Sequence, residues 1–366
     1  MTTSKTLREV AMHTTAVAAL TLGAGGYAFT ANAADVGTAK PRILVLATGG
    51  TIASTGDARS AIGYNAGGVT GEQLTASVPG LDKLASIKAE QISNIGSQDM
   101  NSKVWYQLAA RIKQAFERNE ADGVVITHGT DTMEETAFFL DNVLSTPKPV
   151  VLVGSMRPST AVSADGPGNL YEAVEVAASP QSGHRGVLVV MNDTIHAPRW
   201  VTKTNTTSVQ TFGNPNGGPL GYVDPASVRY LSPPAAARNA RLNVPNGGLP
   251  RVDIVYAHAD MDAGQIDDAV RHNAKGIVLA GVGDGNASKA ALDALEAAAK
   301  RGVVVVRASR VGSGFVNRNV EVSDDKTGFV VSYDLNPQKA RVLTQLLIGN
   351  GVTTPDKVQK AFDATY

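Results

Sequence analysis

Short, wholly apolar runs alternate with stretches of helical period along most of this chain. Ile43–Leu46, Val124–Thr127, Val150–Val153 and Val187–Met191 are unbroken aliphatic runs rich in valine and isoleucine. That is the pattern of strands covered on both faces. Between them, Trp105, Leu108, Ala109, Ile112 and Phe116 recur at three- and four-residue steps, which predicts a helix lying on a sheet. A second helix is predicted from about Thr132 to Leu144, carrying Phe138, Phe139 and Leu140. Strand and helix in alternation predict βαβ units and a mostly parallel sheet.

From Leu231 the chain loses both periods. Pro233, Pro234, Pro245, Gly247 and Gly248 crowd a segment read as an inter-domain linker over 231–249. Beyond it, strands are predicted at Val252–Tyr256, Ile277–Ala280 and Val303–Val306. Helices follow at about Ala263–His272, Ser288–Lys300, Pro337–Leu347 and Thr354–Phe362. The expected architecture is two α/β domains. The larger, residues 34–230, has a mostly parallel sheet with the site at the carboxyl ends of its strands, and the smaller spans 250–366.

The start of the chain breaks this pattern. Lys5 and Arg8 precede a weakly apolar, glycine-interrupted run from Thr14 to Phe29, followed by Ala31-Asn32-Ala33. A positive start, an apolar stretch and a small-x-small end predict an export signal over 1–33. It would send the mature protein to the periplasm or out of the cell. No later segment reaches eighteen apolar residues, too few to cross a bilayer.

Charge and composition then narrow the chemistry. Removing 1–33 takes away Lys5, Arg8 and Glu9 and leaves 31 basic against 32 acidic side chains. That balance gives no footprint for nucleic acid or an anionic membrane. There is no cysteine, which excludes thiol catalysis, thiolate metal sites and disulfides. None of the six histidines falls in HExxH spacing, and nothing in the sequence supports a metal or an organic cofactor, so none is expected.

In open parallel sheets, ligands bind beyond the carboxyl ends of the strands. Here those ends run into Thr48-Gly49-Gly50-Thr51, Thr127-His128-Gly129-Thr130-Asp131-Thr132 and Gly154-Ser155-Met156-Arg157-Pro158, with Gly96-Ser97-Gln98-Asp99 ahead of the first long helix. Their convergence would make an edge dense in hydroxyls, glycine-freed N–H groups and carboxylates. Each element also has a structural reading: Thr51 in a turn, Thr132 and Glu135 as a capping box, His128 as a satisfied buried histidine, Lys203 as a solvated lysine. Gly49-Gly50 does not open a dinucleotide fingerprint, and no phosphate-loop signature occurs. Gly312-Ser313-Gly314 lacks nucleophile-elbow spacing. What remains is a hydroxyl nucleophile activated by something other than a histidine, and a lysine beside an aspartate is one arrangement able to do this.

ATGGTIAS (47–54), NIGSQDM (94–100), ITHGTDTMEETAFFL (126–140), VGSMRP (153–158), SADGPGNL (163–170) and VTKTNTT (201–207) together resemble bacterial type II L-asparaginases. The likeness extends through AGVGDGN (280–286), SRVGSG (309–314) and LNPQKAR (335–341), covering nearly all of the mature chain. It implies hydrolysis of L-asparagine to L-aspartate and ammonia, with Thr51 as nucleophile and an acyl-enzyme between. Tyr64, on the glycine-bearing stretch with Gly56, Gly63, Gly67 and Gly68, matches a lid tyrosine resting against Thr51. Thr130, Asp131 and Lys203 match the hydroxyl–carboxylate–ammonium set, and Ser97, Gln98 and Asp131 the groups that hold the α-carboxylate and α-ammonium. Glu321 matches a glutamate reaching in from a neighbouring subunit of a homotetramer. Asp284 stands where the family often places an asparagine that also enters the neighbour's site. A glutaminase–asparaginase with comparable activity on L-glutamine is the nearest alternative. A periplasmic amino-acid binding protein is the remote one, needing no nucleophile.

Overall fold

The computed structural model describes residues 39–56, 64–65, 68–234 and 242–365, with Tyr64 and Asn65 described in their backbone only. The expected signal at 1–33, Gly63 and Gly67 of the glycine-bearing stretch, and residues 235–241 of the expected linker lie outside the described residues.

The large sheet has eight strands. Four parallel pairings link Ser86–Ile95, Arg42–Gly49, Gly123–Thr127, Val150–Val153 and Val187–Met191 in that spatial order. Thr194–His196, Gly221–Asp224 and Ser227–Tyr230 extend it as an antiparallel ribbon. A second sheet of four parallel strands contains Val252–Tyr256, Gly276–Gly281, Val304–Ser309 and Phe329–Val331. Parallel sheets of this kind are covered by helices, and the apolar runs reflect it: every residue of Gly123–Thr127 and Val150–Val153 is buried.

Alternation along the strands sorts their side chains into two layers. Leu44, Leu46, Val124 and Ile126 face helices Ser102–Glu117 and Met133–Val143 in one cluster that continues to Val278, Val306 and Leu346 beside the small sheet. Ile43, Val45, Val125 and Val151 face the opposite way, onto Leu170 and Val174 of helix Gly166–Ala178. A third cluster under the small sheet holds Ile277, Leu279, Leu295 and Val305.

Several elements differ from the sequence expectation. Ser86–Ile95, ten residues long, is an edge strand with no fully buried side chain, so it carries no apolar run. Helix Gly166–Ala178 is not among the predicted elements; it begins inside the Gly-Pro-Gly of the SADGPGNL motif, where proline suits the first turn. The capping box expected at Thr132 is absent: Thr132 is the N-cap residue but makes no side-chain cap. Its hydroxyl instead donates to the carbonyl of Ser97 at 2.7 Å, tying two loops together.

Candidate active site

Because Ser86–Ile95, Arg42–Gly49, Gly123–Thr127 and Val150–Val153 run parallel, their carboxyl ends share one edge. The loops after them are drawn together by backbone contacts that only glycine permits. Gly50 has φ +79°, and a Cβ there would lie 2.3 Å from the nitrogen of Gly129. A Cβ on Gly49 would lie 2.5 Å from the carbonyl oxygen of Ile95. The Gly50 N–H donates to that same carbonyl at 2.9 Å, and Thr48 Oγ1 donates to the carbonyl of Thr127 at 2.9 Å. Three loops are therefore in direct backbone contact. Thr51 follows at once, in a single turn of 3₁₀ helix, and is 5% exposed.

Thr130 is equally buried, at 5%. Lys203 Nζ donates to Thr130 Oγ1 at 2.9 Å and to Asp131 Oδ1 at 2.6 Å. The Asp131 side chain is 54% exposed, against 19% for Lys203, so the pair opens toward solvent at the carboxylate. Ser97 Oγ accepts the N–H of Asp131 at 3.1 Å. Gln98 folds back over Gly96, where a Cβ would sit 2.5 Å from its amide. Thr130, Asp131, Lys203 and Ser97 thus form one bonded cluster, and Thr51 adjoins it through the Gly50–Gly129 contact. Tyr64 is described only in its backbone, which pairs with Gly56 in a two-residue ribbon.

His128 is fully occupied by structure. Its Nδ1 lies 2.6 Å from the carbonyl oxygen of Gly129, and its Nε2 lies 2.9 Å from Thr136 Oγ1. A carbonyl only accepts, so Nδ1 carries the proton. Trp105 Nε1 donates to Thr136 Oγ1 at 2.8 Å, leaving the threonine proton free to go to Nε2. Burial holds this imidazole neutral, its pKa lowered to about 4 despite the Gly129 carbonyl. The chain Trp105–Thr136–His128–Gly129 anchors the loop that presents Thr130, and it leaves no lone pair for catalysis.

Glu321 and Asp284 lie on loops of the small sheet. Glu321 accepts from Asn286 Nδ2. Asp284 turns instead to Asn317, accepting its N–H at 2.7 Å and its Nδ2 at 3.2 Å. Among the described residues, no hydrogen bond or ion pair joins Glu321 or Asp284 to the Thr130 cluster. Asn286, beside Glu321, has no assigned role in the sequence reading, since the motif position two residues earlier drew the comparison.

Two further groups escaped that reading although they lie within its motifs. Asp165 accepts the N–H groups of Met156 and Arg157, both at 2.9 Å, and Asn169 Nδ2 donates to the Gly154 carbonyl at 3.0 Å. They shape the loop after Val150–Val153. Polar residues at the start of a helix look the same in sequence whether they cap, face water or hold a loop.

The arrangement can hold an amino acid and attack it. The hydroxyls of Ser97 and Thr130 and the Lys203 amine beside the exposed Asp131 carboxylate offer both the donors and the acceptor that a zwitterion requires.

The family model described as "Asparaginase, N-terminal" matches residues 42–236, and that described as "Glutaminase/Asparaginase C-terminal domain" matches 251–362. "Probable L-asparaginase periplasmic" of Haemophilus influenzae is 50% identical, over 91% of this chain and 94% of its own length. "L-asparaginase 2" of Escherichia coli is 49% identical, over 95% of this chain and 98% of its own. Among solved structures, "Probable Cytoplasmic L-asparaginase" from Campylobacter jejuni superposes with a TM-score of 0.85 at 44% identity, covering 89% of this chain and 100% of that one.

Proposed function

The chain belongs to the asparaginase family, and from that premise we propose that it hydrolyses the side-chain amide of L-asparagine to L-aspartate and ammonia. The observation that carries the reading is Lys203 Nζ bonded at once to Thr130 Oγ1 and Asp131, one backbone contact away from Thr51. Thr51 Oγ attacks the amide carbon and its proton passes to the departing nitrogen, so that ammonia leaves and an acyl-enzyme forms. Thr130 and the Lys203–Asp131 pair bonded to it then position the attacking water and relay its proton to Thr51 Oγ as the ester breaks and aspartate leaves. Ser97, Gln98 and Asp131 hold the substrate's charged α-groups, and Tyr64 closes over Thr51.

Glu321, unbonded to the Thr130 cluster within the chain, serves a neighbour's site in a homotetramer. The Lys5, Arg8 and Ala31-Asn32-Ala33 pattern supports export to the periplasm, with cleavage after Ala33. We take 34–230 as the catalytic domain, 231–249 as a linker and 250–366 as the C-terminal domain. No described helix is long and apolar enough to cross a membrane.

Ammonia release from L-asparagine by wild type and Lys203→Met tests the reading. Removing a positioned acid–base group typically costs about 10²–10⁴-fold, so the variant should fall by at least about a hundredfold while remaining folded. Release from L-glutamine in the same assay fixes the preference between amides. A wild type inactive on both would overturn the assignment.

A further inference from the structure

We infer that Glu134 is a positioning residue for Lys203, gripping the backbone of the segment that carries the catalytic amine from anchors in the C-terminal part of the chain. The inference rests on the proposed role of Lys203. Lys203 sits on a strand of only two residues, Thr202–Lys203, paired on one side to Phe212–Gly213. So short a ladder restrains little by itself, yet the amine must be held to within a fraction of an ångström.

The restraint comes from elsewhere. Glu134 is 3% exposed on helix Met133–Val143. Its Oε2 accepts the Lys203 N–H at 2.8 Å. Its Oε1 accepts from Asn336 Nδ2 at 2.9 Å and Gln338 Nε2 at 2.6 Å. All three partners are donors, which suits a carboxylate that carries no proton. Asn336 cannot flip its amide, because its Oδ1 caps helix Pro337–Gly349 by accepting the Lys339 N–H at 3.1 Å. From the same turn Lys339, 2% exposed, donates to the carbonyls of Arg199, at 3.0 Å, and Val201. Asn336 Nδ2 also reaches Thr202 Oγ1 at 3.3 Å. Residues 199–203 are therefore held at four points by one carboxylate and the first turn of one helix. In this way the LNPQKAR segment sets where Lys203 stands.

Glu134→Gln isolates the claim. A glutamine offers one acceptor oxygen and an amide that donates, so one of the facing donors must meet another donor. Gln338 can rotate its own amide to accept. Asn336, fixed by its cap, and the Lys203 backbone N–H have no such freedom, so whichever way the new amide turns, one of these two anchors of residues 199–203 meets a donor and the segment shifts. Kinetics on L-asparagine should show kcat reduced about 30-fold or more with KM within threefold, in protein that elutes and melts as wild type does. Gln338→Leu, which leaves the Lys203 bond but loosens Glu134, should lower kcat severalfold, again at unchanged KM. If Glu134→Gln does not fold, Gln338→Leu decides: unchanged kcat overturns the proposal. A folded Glu134→Gln with kcat within threefold of wild type also overturns it, as does a rise in KM that accounts for the whole loss. Lys203→Met run in parallel separates the two levels. If it keeps turnover, the role of Lys203 fails and the proposal with it; if it is inactive while Glu134→Gln is not, only the positioning claim fails.

Discussion

Gly50→Ala should cripple catalysis without touching any catalytic group. An alanine Cβ would stand 2.3 Å from Gly129 N and 2.4 Å from Gly129 Cα, where ordinary contact begins near 3.4 Å. Backbone has no rotamer by which to yield, so the Thr51 and Thr130 loops must part by about 1 Å. A misplacement of that size at a reacting centre costs about 10²-fold, or about 2.7 kcal/mol of barrier. The backbone of Gly50, at φ +79° and ψ −174°, lies in a region essentially reserved for glycine and adds strain of about 1–3 kcal/mol for any residue with a Cβ. Gly351→Ala supplies the control: its φ is +78° and nothing lies within 4 Å of the added carbon. Gly50→Ala adds the clash to the strain and should lose more stability in thermal melts than Gly351→Ala, and of the two folded variants only Gly50→Ala should lose kcat/KM in an ammonia-release assay. Activity of Gly50→Ala within threefold of wild type would refute the idea that this backbone contact sets the distance between the two threonines.

Thr130→Val removes the acceptor of Lys203 Nζ and should lower kcat by about 10²–10⁴-fold at a stability cost of about 1 kcal/mol; steady-state kinetics with denaturant titration check both. Burial holds His128 and His196 neutral down to about 4, so their contribution to stability is complete above pH 6.5 and lost as pH falls toward 4, by up to about 1.4 kcal/mol per pH unit each. Burial pushes Glu135 up to about 7 and Glu172 up to about 8, and these act in the opposite sense, stabilising below about pH 4.5 and losing that contribution as pH rises. The two pairs oppose each other between pH 4.5 and 6.5, so unfolding free energy there should be nearly level, and Glu172→Gln should tilt it to rise with pH; an unchanged profile contradicts this. Since Asn286 bonds Glu321 while Asp284 is committed to Asn317, Asn286→Ala should shift the asparagine-to-glutamine ratio of kcat/KM by about tenfold and Asp284→Asn by less. The reverse ranking would return Asp284 to the site.

How much of this was legible in sequence depended on whether a residue acts on near neighbours along the chain. Fully buried strands such as Val150–Val153 announced themselves as apolar runs with unshifted ends. Ser86–Ile95 did not, because an edge strand needs no apolar run. Within the site, Thr130, Asp131 and Lys203 were nominated through motif resemblance, and the fold brings them within hydrogen-bond reach across more than seventy residues. Glu134 was invisible: a glutamate in the first turn of a helix reads as a favourable end charge, and its partners lie some two hundred positions away. The capping box was misread for a related reason. A threonine three residues before a glutamate fits that motif locally, while its hydroxyl donates instead to the carbonyl of Ser97, distant in sequence.

The central claim is that Thr51 is the nucleophile, and Thr51→Val tests it most directly. Valine keeps the shape of a side chain buried at the mouth of the strand-end loops but cannot attack. Wild type quenched during turnover of L-asparagine should yield an aspartyl adduct on the peptide containing residue 51, detected by mass spectrometry. Thr51→Val, assembled as wild type, should give neither adduct nor ammonia above the uncatalysed rate. Substantial ammonia release by folded Thr51→Val, or an adduct on Thr130 in the wild type, would contradict the account.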